Sequence, residues 1–167
     1  MALAFVEGLG LGLLLALYCL IGIKDGAVGM VYLYHKDVQD RCIELGLTTK
    51  KQIKRRFIIF VRLRLIFYIV YAIGFVYGVN SANTFYDGFL QTSILFFTCS
   101  LIDRIFIDEI WVCHTQKWII RGTKDLMPYI ATNDKIKKWV KGFASSLIVA
   151  AILAGIMSLI IKWVNFY

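Results

Sequence analysis

The stretch ALAFVEGLGLGLLLALYCLIGI, residues 2–23, decides the fold, because Glu7 is its only charge. A helix needs about 20 apolar residues to cross a hydrocarbon core of roughly 30 Å, and this run is long enough. It reads as a span rather than a cleaved leader: no Lys or Arg precedes it, and it outruns a leader's apolar core. Three further spans follow at residues 57–79, 85–107 and 143–161. The second carries Arg62 and Arg64 near its start, the third is the most polar, and the fourth is uncharged. Composition agrees, since 167 residues at 59% hydrophobic and 18% charged, with one proline and a mean hydropathy of +0.70, are too apolar for an ordinary soluble domain.

Nineteen Lys and Arg against eleven Asp and Glu give a net charge of +8, and their placement carries the information. Ten lie between Lys24 and Arg64 and eight between Arg104 and Lys141, while residues 80–84 and the start of the chain have none. Cytoplasmic loops retain positive charge, so both basic segments are expected inside and both termini outside. The expected fold is all-α: one integral membrane bundle of four transmembrane helices spanning residues 1–167, N-out and C-out. Its first two spans extend into the cytoplasm as helical legs, and the expected location is a bacterial cytoplasmic membrane. Anionic lipid headgroups are the natural partner of the basic loops, and nucleic acid is not needed to explain them.

Between the spans, His35 to Leu45 reads as an amphipathic helix stopped at Gly46. Thr49 with Gln52 resembles a capping box that starts the next helix. The second basic segment contains Pro128 and the turn-like stretches Arg121-Gly122-Thr123 and Thr132-Asn133-Asp134. Trp111, Trp118, Met127, Tyr129 and Trp139 alternate there with charges like an interfacial belt. Small residues recur at four-residue spacing: Ala4, Gly8, Gly12 and Ala16; Gly74 and Gly78; Ser146, Ala150, Ala154 and Ser158. Such stripes serve packing within the bundle, or a homodimer or partner membrane protein. The four cysteines form no CxxC pair and read as buried small hydrophobes.

At 100° per residue, Asp87, Gln91, Thr98 and Glu109 fall on one face of span three, and Thr92, Cys99, Asp103 and His114 on another nearly opposite. A helix polar on two sides is expected to be the most buried of the four. Its inner end brings Asp103, Arg104, Asp108, Glu109, Cys113 and His114 to the depth of His35, Arg62 and Arg64.

Three readings follow. Arg62, Arg64 and Arg104 either neutralise Asp103, Asp108 and Glu109 structurally, or hold a headgroup, phosphate or carboxylate as a binding site. In the third, His114 works as an acid or base with Asp108 or Glu109 on a lipid-linked substrate, or His35, His114 and Glu109 hold a metal. The five-residue step from Glu109 to His114 misaligns that pair on a straight α-helix. Asp87 is expected to cap span three, with an outer acid of a binding, transport or channel track through Gln91 and Thr98 as the alternative. No P-loop, GxGxxG or GxSxG motif is present. The leading expectation is a non-enzymatic membrane protein binding a headgroup, small anion or protein partner at its inner face. A membrane enzyme and a transporter or channel component are the alternatives, and no cofactor is specified by the sequence.

Overall fold

The computed structural model describes residues 1–24, 26–127 and 132–166; Pro128 and Tyr129 lie outside them. The described residues form helices and turns, with no strand. Helix α1 is Ala2–Gly22, α2 is Lys36–Glu44, α3 is Lys50–Ala72, α4 is Phe85–Ile102 and α5 is Thr132–Phe166. A 3₁₀ segment, Ala27–Leu33, precedes α2. Two helices end in wider π-helical turns: Ile73–Val79 continues α3, and Asp103–Val112 continues α4. Four helical stretches are long and apolar enough to cross a membrane: Ala2–Gly22, Lys50–Val79, Phe85–Val112 and Ile136–Val164.

The helical extensions differ from the expected pair of legs. α1 stops at Gly22, and Gly26 at φ +103° turns the chain into the 3₁₀ segment, so span one has no leg. That backbone region is essentially open only to glycine. α3 does extend, starting at Lys50 where the Thr49 hydroxyl accepts the Gln52 amide at 3.3 Å. The Gln52 side chain meets the Thr48 hydroxyl instead of closing a reciprocal box. α5 begins at Thr132, so Thr132-Asn133-Asp134 opens a helix rather than forming a turn. α2 ends as expected, with Gly46 at φ +69°.

α4 packs along α1 on one side and α5 on the other. The α1 contact uses the small-residue stripe: Ala4, Gly8, Leu11, Gly12 and Leu15 are buried, and a Cβ at Gly8 would lie 2.6 Å from the Thr98 Cβ. Ala150 and Ala154 give α5 its own buried stripe. Gly74 and Gly78 stay exposed, and no atom lies within 4 Å of a Cβ built at Gly74. Although α4 is flanked on both sides, it is not the most buried: 33% of its apolar stretch is buried, against 39% for α1. Its polar residues Thr92, Thr98 and Cys99 do lie inside. α3 is the most exposed, at 11%.

The two basic segments share one end of the molecule and form a cap. The Tyr34 hydroxyl donates to the Trp118 carbonyl at 2.8 Å, their rings meet edge to face, and Trp118 is 1% exposed. Trp111 packs edge-on to the same indole, and Arg41 reaches Asp125 at 3.7 Å. Trp118 is thus the core of the cap, not part of an interfacial belt; Trp139 is exposed and half-buried Trp111 leans inward.

Candidate functional site

The π-helical winding of residues 103–112 places the densest charges of the chain. Beyond Ile102 the 100° projection no longer holds, because hydrogen bonds now link residues five apart. This aligns the five-residue step that a straight α-helix misaligns. The His114 Nδ1–H donates to the Glu109 backbone carbonyl at 2.7 Å, since a carbonyl only accepts. That bond fixes the tautomer and leaves Nε2 as the basic nitrogen of an exposed ring.

Arg104 and Asp108 form an ion pair, Nη1 to Oδ2 at 2.9 Å, with both side chains about four-fifths buried. Gly142 of α5 leaves the room for it: a Cβ there would lie 3.4 Å from Arg104 Nη2. Asp103, one residue earlier, stands in the combined field of Asp108, Arg104, Arg64 and Lys138. Arg64 reaches this field from α3 and forms no ion pair among the described residues. Its guanidinium lies 5.3 Å from the Phe60 ring centre and 5.9 Å from that of Tyr68. Between α3, α4 and α5 opens a polar cleft of about 180 Å³, walled by Arg64, Tyr68, Ser100, Asp103, Arg104, Ser145 and Ser146.

The cluster expected from the sequence is therefore assembled in part. Asp103, Arg104, Asp108 and Arg64 converge. Arg62 is exposed and pairs with no acid among the described residues. His35 sits at the start of α2, where its Nδ1 meets Asp37 at 3.2 Å. Among the described residues no three His, Cys, Asp or Glu side chains come together as a group able to hold a metal. His35 meets Asp37, and His114 the Glu109 carbonyl. Asp87 lies at the far end of α4, about 24 Å from Asp103 by helix rise. There Thr84, not Asp87, is the N-cap: its hydroxyl accepts the Asp87 amide at 3.1 Å and donates to the Asp87 carboxylate in the first turn at 2.7 Å. Thr98, further along the same track, is shut against Gly8.

Two features were not singled out from the sequence. Ser145 and Tyr68 line the cleft but look like ordinary span residues. Glu7, 5% exposed within α1, accepts from the Asn80 amide at 2.9 Å, while its backbone carbonyl accepts from the Tyr71 hydroxyl at 2.9 Å. Its Oε1 and the Asn80 Oδ1 are buried without a hydrogen-bond partner among the described residues. A lone carboxylate in an apolar run was the available signal. Comparison with family models, with characterised proteins and with solved structures finds no match to this chain.

Proposed function

We propose that the chain is an integral membrane bundle of four spans, with the cap in the cytoplasm and both termini outside, that binds the phosphate or carboxylate of an anionic headgroup or small anion in the α3–α4–α5 cleft. The observation that carries this reading is the inequality between two arginines. Arg104 is occupied by Asp108, whereas Arg64 stands exposed on the cleft wall with no carboxylate at ion-pair distance among the described residues. A guanidinium at that depth is costly unless it is partnered or reaches water, and a bound anion satisfies it bidentately. Ser145 and Ser146 add hydroxyls to the opposite wall, although each already donates to the Gly142 carbonyl. The contacts within the cap support a shared side for the two basic segments, and their charge supports the cytoplasmic side.

Two measurements test it. Single-cysteine variants at Lys50 and Lys117 should react with a membrane-impermeant maleimide only after the inner surface is opened; labelling of the two from opposite sides overturns the topology. Titration of the purified protein with inorganic phosphate and glycerol phosphate should give saturable binding that Arg64→Gln weakens by about tenfold, roughly 1.4 kcal/mol, while Arg62→Gln leaves it unchanged. Equal effects of the two substitutions overturn the site.

A further inference from the structure

The cleft has an apolar neighbour. α1 and α3 leave between them a groove of about 380 Å³, walled by Leu14, Leu17, Ile21, Leu63 and Phe67. Arg64 and Tyr68 belong to both spaces, lining the groove on one side and the cleft on the other. Arg64 is the groove's one ionisable cation, on a wall otherwise of hydrocarbon and aromatic rings. The groove runs along the helices for about 10 Å, from Leu14 to Ile21 at a rise of about 1.5 Å per residue. In a bilayer it therefore lies parallel to the acyl chains, with a guanidinium at its flank.

We infer that the ligand is an anionic glycerophospholipid, seated with an acyl chain in the α1–α3 groove and its phosphate on Arg64. The inference rests on the anion reading above and narrows it to one class of molecule. A free anion makes no use of the groove, and a zwitterionic lipid sets its own cation against Arg64. Charge also separates a lipid from a second copy of the chain. A two-fold partner seated on this face would bring its own Arg64 to the same depth, cation against cation in a medium that screens little.

The test uses the full chain in detergent and in nanodiscs, with phosphatidylglycerol, phosphatidylcholine, glycerol phosphate and inorganic phosphate as probes. Native mass spectrometry and thermal shift read retention and affinity. Phosphatidylglycerol should bind about tenfold more tightly than phosphatidylcholine, and Arg64→Gln should erase that preference. Leu14→Trp, which fills the groove from an exposed position, should weaken phosphatidylglycerol about tenfold and leave glycerol phosphate binding intact. Leu17→Trp repeats the block from a second exposed position, so poor folding of one variant does not decide the result. If glycerol phosphate binds as tightly as phosphatidylglycerol and both tryptophans are silent, the lipid inference fails and the anion site survives. If no anionic probe binds, both fail. Equal retention of the two lipids in wild type and Arg64→Gln means annular lipid only and overturns the inference. A dimer in sedimentation that Leu14→Trp dissociates assigns the groove to a second copy and overturns it too.

Discussion

Replacing Gly8 with alanine tests the contact on which the helix packing depends. The new Cβ would stand 2.6 Å from the Thr98 Cβ and 2.7 Å from the Leu95 carbonyl oxygen, where ordinary contact begins at 3.4 Å. α1 and α4 must therefore part by about 0.8 Å, because a backbone carbonyl held in a helix cannot swing aside. Overpacking of this kind costs about 1–3 kcal/mol. Against it stands the helix preference of alanine over glycine, worth up to about 1 kcal/mol. Gly155 supplies the control: it is also mid-helix, and a Cβ there meets nothing within 4 Å. Gly155→Ala keeps the preference without the clash, so the two variants should differ by about 1–3 kcal/mol, with Gly8→Ala the less stable. Reversible unfolding in mixed micelles, followed by far-ultraviolet circular dichroism, measures that difference. Equal stability of the two, or a more stable Gly8→Ala, would refute the close α1–α4 contact.

Trp118→Ala should destabilise the cap by about 3–5 kcal/mol, as removal of a fully buried indole does. Hydrogen exchange should quicken in Ala27–Leu33 and α2 while α5 is unaffected; uniform quickening would contradict a local cap. Arg104→Ala strands Asp108 and should cost roughly 3–5 kcal/mol, and adding Asp108→Ala should restore part of it; an additive double variant would mean the pair is not coupled. Burial pushes the Cys42 thiol and the Tyr32 phenol above their usual ranges, the latter with help from Tyr18. Unfolding lets these groups ionise, so above about pH 8.5 the unfolded state binds fewer protons and stability falls as pH rises, more steeply near pH 10. A Cys42→Ala variant that loses stability as steeply between about pH 8.5 and 10 would rule out the thiol as a contributor.

The four long apolar helices were legible because runs of about twenty mostly apolar residues with few charges have few alternatives in water or lipid. Thr49 and Gly46 marked helix ends through local chemistry that needs no tertiary information, whereas the cap of α4, expected at Asp87, falls on Thr84. The missing leg after α1 was hidden because Gly26 acts through a backbone conformation that composition does not announce. Trp118 misled for a related reason: an aromatic among charges looks interfacial until Tyr34, 84 residues away, supplies its partner. At the candidate site, charge density alone located Asp103, Arg104 and Asp108. The relation of Glu109 to His114 could not be read from α-helical spacing, since π-helical turns change which residues are neighbours. Nor could periodicity distinguish Arg62 from Arg64, whose surroundings depend on where α5 packs.

The clasp between Tyr34 and Trp118 also sets a schedule for the nascent chain. Synthesis at about 5–20 residues per second leaves the first half of the cap waiting roughly 4–17 s for the indole that covers it. Through that interval Val31 and Val38, both at most 1% exposed in the finished protein, belong to a core still without its indole. About seven tenths of the chain, 118 of 167 residues, must be made before this first segment of the cap can close, so its early apolar residues stay without their cover until then.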